Sequence, residues 1–398
     1  MNDTAPGISA PAPNVASGES NLSIVMVETA RHRDQFIRLP WSIYRDDPVW
    51  VPPLIMERKS HLSPKNPYFE HASCRLWLAL RDGVPVGRIS AQVDQLYLER
   101  YGDNTGFWGM IEAEDRAETF TALFTTAERW LKSRGMRRAI GPFNFSINQE
   151  CGLLVDGFDS PPSMMMGHAR PYYGQWVEQC GYRKEKDLLA YLIDSRVAPS
   201  ATRRRLIRAS DRQRITSRCL RKSHFAEDLA IVFTIFNDAW ANNWGFVPFT
   251  EAELGHLAND LKLLINNRLV RIVSLGEEPA AFVVLLPNLN EAIRDLDGAL
   301  FPLGWCKLLW RLKMQKPRTG RILLMGVLSK YHETLLGVTL AYRAIHDVQE
   351  AALEVGMEAA ELSWILEDNT GTNDIIEDFG GVVYKTYRIY GRDISGDR

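Results

Sequence analysis

Cysteine is scarce in this sequence, and it never occurs as a C-x-x-C pair. The five cysteines are dispersed among 398 residues, and the eight histidines show no spacing typical of metal ligands. This usage is typical of a reducing compartment, and it argues against a disulfide framework or a structural zinc site. We therefore expect no bound metal.

Long apolar runs are also missing. No run approaches the roughly 20 residues that a membrane-spanning helix needs. The N-terminus has neither the basic head nor the apolar core of a secretory signal. These absences predict a cytoplasmic protein.

A large excess of charge of one sign is absent as well. The 47 Lys and Arg residues nearly balance the 49 Asp and Glu residues, which leaves a net charge of −2. The chain lacks the overall basic character of nucleic-acid-binding proteins, so we expect no nucleic-acid partner. With 45% hydrophobic and 24% charged residues over 398 positions, composition and length predict a globular protein of two domains.

Ordered structure is predicted to begin at Leu22, after a tail (residues 1–21) whose small polar residues and prolines predict disorder. A helix over residues 31–44 is expected to break near Pro40. The Pro-rich segment after it predicts a loop that aromatic side chains anchor over the core, with a substrate lid as the alternative. The turn dipeptide Asp82-Gly83 between two apolar runs predicts a hairpin.

Segment 321–390 alternates strand and helix patterns. An apolar strand over 322–328 precedes a helix that ends at Gly356, and a strand over 359–366 precedes a short helix and Gly380. A last strand, VVYKTYRIY, follows. This alternation is typical of an α/β unit.

The first part of the chain repeats this order in a degenerate form. AERWLKSRGMRRAIGPFN parallels VQEAALEVGMEAAELSWI, and YYGQWVEQCGYRKEKDLLAY parallels TNDIIEDFGGVVYKTYRIY. We therefore predict an α/β fold (α+β, mixed sheets) of two similar domains in tandem, residues 22–195 and 196–398. Each should contain a mixed central sheet flanked by helices, and the boundary should lie at 196–204, where a small Pro-containing segment precedes RRR.

Three features of the second copy resemble the GCN5-related N-acetyltransferase (GNAT) superfamily. These are the strand–loop–helix around His332–Gly337, the eleven-residue spacing from Asn369 to Gly380, and the closing strand. Two departures accompany them. Only the last glycine of the family's pyrophosphate loop is present, and Ile376 occupies the position where the family often has a tyrosine that protonates the leaving thiolate.

The resemblance implies a thioester donor between the strands 322–328 and 359–366, with acyl-CoA or an acyl carrier protein as co-substrate and no permanently bound cofactor. Unpaired backbone N–H groups at a helix N-terminus bind phosphate, which gives the loop before Gly337 a physical role. The open alternative is an ordinary strand-to-helix turn. The predicted donor-binding residues are Leu328, Lys330, Tyr331, Gly337, Val338, Asn369 and Asn373.

The first copy is predicted to bind such a donor poorly. It carries Glu112, Glu114 and Asp115 where the phosphate loop would be, and these carboxylates can occupy the helix N-terminus and repel phosphate. Its insertion contains a methionine run, Met164–Met166, which predicts either a wall of an acyl or lipid pocket or ordinary core beneath a long loop.

The aromatic and polar stretch NDAWANNWGFVPFTEAEL lies where the family binds its acceptor. A capping box of Thr250 and Glu253 is predicted to begin the next helix. Together with polar residues of the insertion, this stretch supplies the predicted acceptor-binding residues: Trp240, Asn243, Trp244, Phe246, Asn148, Glu150 and Tyr173.

Residues 298–321 combine lysines and arginines with Trp305 and Trp310. Such a basic amphipathic helix is typical of an anionic membrane surface, here the inner face of the membrane, and the alternative is a helix packed on the sheet with a basic outer face.

RDDPVWVPPL, GRISAQVD, NDAWANNWGF, ELSWILEDN and YKTYRIY are similar to a tandem branch of GNAT-like bacterial proteins that includes ceramide synthases, over roughly residues 23–392. The resemblance implies transfer of a long-chain acyl group from a thioester to the amine of a sphingoid base. Amine attack needs a base and thiolate departure an acid. The candidate bases are Glu361, Glu367 and His332, with the two glutamates expected on one strand face together with Ser363. The candidate acids are Tyr331, Tyr384 and Tyr387, with water as the alternative.

Two other functions remain open on the sequence. The missing loop glycines and Ile376 favour a catalytically inactive scaffold that binds a lipid or an acyl carrier. An aminoacyl transferase of cell-wall synthesis would need a basic surface the size of tRNA, and the chain has only one basic stretch.

Overall fold

The computed structural model describes residues 21–262 and 264–396. The predicted tail lies outside these ranges except for Asn21. We call residues 22–195 the first half and residues 196–396 the second half.

The first half begins with a strand and ends with one. Its strands are β1 (Leu22–Met26), β2 (Ala72–Arg81), β3 (Val84–Asp94), β4 (Thr105–Ala113), β5 (Arg138–Gly141), β6 (Phe143–Asn144), β7 (Glu150–Cys151), β8 (Leu153–Asp156) and β9 (Arg183–Asp194). Its helices are α1 (Ala30–Ile43), α2 (Ile55–His61), α3 (Gln95–Tyr101), α4 (Ala117–Ser133) and α5 (Tyr173–Gln179).

The second half begins with a helix. Its helices are α6 (Ala201–Arg212), α7 (Phe225–Trp240), α8 (Glu251–Leu261), α9 (Leu289–Ile293), α10 (Gly304–Trp310), α11 (Leu335–Val355) and α12 (Thr370–Asp378). Its strands are β10 (Ile215–Cys219), β11 (Val270–Leu275), β12 (Glu278–Pro287), β13 (Thr319–Val327), β14 (Ala359–Leu366) and β15 (Val382–Asp393).

One mixed sheet runs through both halves in the order β1-β2-β3-β4-β5-β15-β9-β14-β13-β12-β11-β10. The pairs β4–β5 and β13–β14 are parallel, and the neighbours on either side of each pair are antiparallel. Helices cover both faces: α1 and α4 pack on the first-half strands, and α7 and α11 pack on the second-half strands. The predicted fold class, a mixed α/β structure with helices flanking its sheets, is confirmed.

The two halves exchange their last strands. β15 pairs with β5 of the first half, Tyr390 opposite Gly141, and β9 pairs with β14 of the second half, Asp194 opposite Ala359. Accordingly, Tyr387 belongs to the first-half core and Tyr191 to the second-half core. Because each core contains a strand of the other half, we expect the halves to fold as one unit.

Several local predictions are confirmed. Asp82 and Gly83 both have positive φ, 51° and 80°, as the tight turn between β2 and β3 requires. Thr250 forms the capping box of α8 with Glu253, and Gly356 ends α11 at a φ of 89°.

The predicted break at Pro40 is wrong, because α1 continues to Ile43. A proline removes one helical hydrogen bond, that to the carbonyl four residues earlier. Here that carbonyl belongs to Phe36, and it accepts a hydrogen bond of 2.7 Å from the guanidinium of Arg88 instead. The side chain on the sheet thus replaces the missing donor.

The basic stretch 298–321 does not form the single amphipathic helix that the sequence predicts. Only α10 and a wider turn over Arg311–Gln315 are helical, because Pro302 precedes the first and Pro317 follows the second. Lys307 and Arg311 both pair with Asp295. The arginine that ends the stretch, Arg321, is buried on β13.

Candidate active site

A large cleft opens where β13 and β14 separate. The two strands pair in parallel from Thr319–Ile322 opposite Ala359–Leu362, and beyond this point a cleft of about 860 Å³ lies between them. Its size falls in the range of ligand-binding pockets. The first turn of α11 and the start of α12 form its far wall.

Many of the residues predicted to bind the donor or the acceptor line this cleft. α7 and the loop after it supply the aromatic side, and the loop before α11 supplies the opposite side. The predicted residues that line the cleft are Trp240, Asn243, Trp244, Tyr331, His332, Gly337, Val338 and Asn369.

The N-terminus of α11 faces the cleft, and one of its backbone N–H groups is already hydrogen-bonded. Thr334 caps the helix, and its hydroxyl accepts a 3.0 Å hydrogen bond from the amide of Gly337. A Cβ on Gly337 would overlap the carbonyl oxygen of Tyr331. Glycine therefore allows the loop to close tightly on the helix. The imidazole of His332 is held by a 2.7 Å hydrogen bond to the carbonyl of Val327.

The N-terminus of α12 also lies at the cleft. Asn369 caps this helix by accepting from the amide of Thr372 at 3.2 Å. The short helix and Gly380, with a φ of 82°, match the predicted pattern.

Three of the predicted donor-binding residues point elsewhere. Leu328 packs in the small core between α7 and β12. Lys330 pairs with Glu278 in solvent at 2.5 Å. The amide of Asn373 is directed at the carbonyls of Leu366 and Glu367. Leu328 and Lys330 make these contacts with residues far away in the sequence, so sequence spacing alone could not distinguish them from residues that line the cleft.

Glu361 is a buried carboxylate on β14, with 2% of its surface exposed. It accepts hydrogen bonds from the hydroxyls of Tyr384 and Ser363. Burial and the negative charge of Glu361 raise the pKa of Tyr384 far above its ordinary value. Tyr384 therefore remains protonated and donates to the carboxylate.

Arg321 is the cation of this network. Its Nε lies 3.6 Å from Glu361 Oε1 and donates to Ser363 Oγ at 2.8 Å. Its Nη1 donates to the carbonyl of Met164 at 2.9 Å, which ties the first-half insertion to β13. Removing the charges of Arg321 and Glu361 from water costs considerable free energy. Such buried charges beside a cleft are typical of a functional site. In the sequence, Arg321 ends the basic stretch 298–321, and its place directly before the apolar run 322–328 was the available signal.

A small cavity of about 40 Å³ lies on the Arg321 side of the strands. Arg321, Ser363 and Gln149 line it, and Ser363 also lines the large cleft. Trp240 and Trp364 separate the two spaces, with their rings edge to face at 5.6 Å. Ser363 therefore lines both spaces, and its hydroxyl donates to the buried carboxylate.

Glu367 does not share a face with Glu361, contrary to our expectation. The pairing register of β14 shifts between Leu362 and Ile365, which interrupts the alternation of side chains. Glu367 pairs instead with Lys184 at 2.6 Å. The expectation that both carboxylates face one site is thus wrong.

The other candidate acids are differently placed. The hydroxyl of Tyr331 donates to Glu278 at 3.1 Å. Tyr387 is fully buried, its hydroxyl has no hydrogen-bond partner among the described residues, and burial raises its pKa. Of the three tyrosines, Tyr384 is the one bonded to Glu361.

The remaining acceptor candidates lie outside the cleft. Asn148 lines the small cavity and donates to the carbonyl of Val247 at 2.8 Å. Phe246 is buried against Phe236. Glu150 and Tyr173 belong to the first half, where they contact Arg58 and Glu112 respectively.

The first half has no open equivalent of the cleft between its described strands β4 and β5. A Cβ on Gly109 would overlap the carbonyl oxygen of Phe143, and Asn144 accepts from the amide of Met110 at 2.7 Å. The start of α4 is occupied too, since Glu114 accepts from Arg81 at 2.9 Å.

Residues 21–262 and 264–396 contain no group of three or more His, Cys, Asp or Glu side chains suited to a metal ion. Their helices include none with the length and apolar character needed to cross a bilayer.

The chain is similar in sequence to two proteins over nearly its whole length, whereas no protein-family model matches it. It is 46% identical to protein YghO of Escherichia coli K12 over 359 residues, covering 90% of this chain and 92% of that protein. It is 45% identical over 377 residues to the bacterial ceramide synthase of Caulobacter vibrioides, covering 94% and 98%. Among solved structures, a tandem GNAT protein from the clavulanic acid biosynthesis pathway superposes with a TM-score of 0.53 at 11% identity, covering 95% of this chain and 100% of that one. This last likeness concerns the fold alone.

Proposed function

Because the chain belongs to the family of tandem GNAT-like proteins that contains protein YghO and bacterial ceramide synthase, we propose that it transfers a long-chain acyl group from a thioester to the amine of a sphingoid base. The family assigns it to the acyltransferases. The choice of acceptor and donor is our proposal. The observation that carries it is the junction of a donor-sized cleft with the buried network of Arg321, Glu361, Ser363 and Tyr384.

The donor is proposed to be acyl-CoA, lying between β13 and β14 with its phosphates at the start of α11. The unpaired N–H groups of a helix N-terminus suit phosphate. The divergence of the strands leaves backbone N–H groups of β13 free to polarise the thioester carbonyl. The comparisons offer no support for an acyl carrier protein.

The proposed chemistry is direct acyl transfer. The amine nitrogen forms a bond to the thioester carbon, and the carbon–sulfur bond breaks. As the amine nitrogen attacks, the proton that it loses passes through the hydroxyl of Ser363, which donates to Glu361, onto that carboxylate. Arg321 holds Ser363 and Glu361 in position. Tyr384, which is hydrogen-bonded to Glu361, is the proposed source of the proton for the departing thiolate. It then takes back the proton that Glu361 received, so that both groups end in their starting states.

The test is to identify the product by mass spectrometry after incubating the protein with palmitoyl-CoA and sphinganine. We expect an N-acyl product from the wild type, and a loss of at least about 100-fold in Glu361→Gln, since a positioned general base contributes 10²–10⁴-fold. Glu358→Gln is the matched control, because Glu358 pairs with Arg318 at the exposed start of the same strand. An unchanged rate in Glu361→Gln would remove the proposed base.

A scaffold that binds an acyl thioester without reaction is the second candidate. The amide of Gly337 is bonded to Thr334 rather than free for phosphate, which favours it. Measurable binding of acyl-CoA with no product from any amine tested would establish this alternative in place of the first.

The lipid nature of the acceptor leads to a proposal about location. Large apolar side chains around α10 are exposed to solvent: Phe301 by 74%, Leu303 by 73% and Met314 by 71%. We propose that this surface contacts the inner face of the membrane, with the protein otherwise cytoplasmic. Lys313 and Lys316 supply the nearby positive charge.

Binding to lipid vesicles tests whether the protein receives its lipid at a membrane or in solution. Co-sedimentation with vesicles containing anionic lipid should fall at least about tenfold in Leu303→Ser/Met314→Ser. Val84→Ser is the control, because Val84 is exposed by 61% at the β2–β3 hairpin. Equal sedimentation of all three proteins would contradict a membrane contact at α10.

A further inference from the structure

A second, polar cavity lies in the first half and belongs to neither the donor cleft nor the proposed chemistry. Its volume is about 160 Å³. It is bounded by α1, α2, the end of β4 and the insertion, and among the described residues it shares none of its lining with the donor cleft. Four charged side chains line it: Arg58, Arg88, Glu112 and Glu150.

Glu112 presents one uncommitted oxygen to this space. Its Oε2 accepts hydrogen bonds from Tyr44 and Tyr173, both at 2.7 Å. Its Oε1 is 3.6 Å from the guanidinium of Arg88, too far for a direct hydrogen bond. Burial raises the pKa of Glu112.

Two histidines also line the cavity, and each has one buried ring nitrogen without a partner among the described residues. His168 shares its Nε2 proton with Asp47 at 2.9 Å, and burial lowers its pKa, so the ring is neutral and Nδ1 keeps its lone pair. His61 stacks on Phe145 at 4.4 Å, and burial lowers its pKa to about 4. Neither His168 Nδ1 nor His61 Nε2 has a hydrogen-bond partner among the described residues.

Unpaired acceptors and donors both remain around the cavity. His168 Nδ1 and Glu112 Oε1 are acceptors, Arg88 Nε is a donor, and His61 Nε2 is either one according to the tautomer of the ring. Buried polar groups left without partners cost free energy, and a ligand or water normally supplies the missing hydrogen bonds. The matching ligand is rich in N–H and O–H groups, and a primary ammonium offers three N–H donors.

The position of the cavity relates it to the reaction face. Met165 lines both this cavity and the small cavity that Arg321 and Ser363 line. A ligand head group in the polar cavity would thus be one side chain away from the space beside Ser363. The volume suits a small head group but not a long alkyl chain.

We propose that the first half holds a binding site for a small amino-alcohol head group, separated by Met165 from the reaction face. Its role rests on the proposed function, because the head group would be that of the amine acceptor before transfer. The site itself does not depend on any acyl donor. The first half, which has lost the donor cleft, would then contribute acceptor selection to the second.

Titration calorimetry on the full chain without acyl donor tests the site. The probe is 2-amino-1,3-propanediol, and choline is the control cation because it has no N–H donor. We expect binding of the amino alcohol, at least tenfold weaker binding of choline, and at least tenfold weaker binding of the amino alcohol to His61→Phe, which keeps the aromatic stack on Phe145. A second variant, Glu112→Gln, should lose affinity similarly, and thermal unfolding checks that each variant folds.

Equal binding of both cations, absence of binding, or unchanged affinity in both folded variants would overturn the proposal and assign the cavity to water. The outcome is separable from that of the proposed function. Amino-alcohol binding without any N-acyl product would retain this site and reject acyl transfer to sphinganine. An N-acyl product from a wild type that does not bind the probe would retain acyl transfer to sphinganine and reject this site. In His61→Phe, a raised KM for the amine at unchanged kcat is the signature of acceptor selection.

Discussion

The two halves have the same strand arrangement, but the gap between the parallel strands is open in one half and filled in the other. β13 and β14 separate beyond Ile322, and a cleft of about 860 Å³ remains. β4 and β5 separate beyond Phe107, and the chain itself fills the gap with β6. The same strand arrangement therefore produces an open cleft in one half and core in the other, and the segment after the second parallel strand decides which.

Each half also buries a glutamate beside an arginine and a tyrosine. In the second half, Glu361 accepts from Tyr384 beside Arg321, next to the donor cleft. In the first half, Glu112 accepts from Tyr44 and faces Arg88 across 3.6 Å, next to the polar cavity. In our proposals, the second-half network takes part in the chemistry and the first-half network binds the acceptor.

The largest effect should come from breaking the second-half network at its cation. Arg321→Met leaves Glu361 buried without its partner, and breaking a buried pair in this way costs about 3–5 kcal/mol. We expect that loss in the free energy of unfolding measured with urea. The double variant Arg321→Met/Glu361→Leu should recover much of the stability but no activity. A single variant as stable as the wild type would show that the pair is not a structural unit.

A glycine in each half offers a direct comparison of the two gaps. Gly337→Ala places a Cβ against the carbonyl of Tyr331, so the loop at the donor cleft must move. We expect KM for acyl-CoA to rise about tenfold with a small loss of stability. Gly109→Ala places a Cβ against the carbonyl of Phe143; it should reduce stability by about 1–3 kcal/mol, as overpacking does, and leave the KM of the remaining folded protein unchanged. A raised KM for acyl-CoA in Gly109→Ala, with an unchanged KM in Gly337→Ala, would contradict the assignment of the donor to the second half.

A smaller effect is expected from an ion pair that links the halves. Burial lowers the pKa of His71, but its contacts with Asp94 at 3.0 Å and Glu253 at 3.4 Å outweigh burial and raise it to about 9. A raised pKa stabilises the folded state below the unfolded pKa of about 6.5. That stability is lost as the pH rises from about 6.5 through 9. Thermal unfolding across this range should decline in the wild type and decline less in His71→Gln. Parallel curves would show that His71 does not couple the halves.

Much of the local structure was predictable from the sequence because its signals are short-range. The turn at Asp82-Gly83, the capping box at Thr250 and the end of α11 at Gly356 each depend on a few adjacent residues. The fold class followed from the alternation of such elements and from the resemblance of their order to a known superfamily.

The strand exchange and the network around Glu361 could not be predicted in the same way. Backbone hydrogen bonds between strands carry little information about which partner is chosen, so β9 and β15 fit either half equally well on the sequence. Arg321 ends a basic stretch, and only the tertiary fold reveals that it bonds to Met164 from the first half. The register shift in β14 reversed the expected direction of the residues beyond it.

The central claim is that the cleft in the second half carries acyl transfer to an amine. The most direct measurement is release of thiol from palmitoyl-CoA with and without sphinganine. We predict release that requires the amine and that falls at least about 100-fold in Glu361→Gln but not in Glu358→Gln. Release that is equally fast without the amine, or that survives in Glu361→Gln, would contradict the claim.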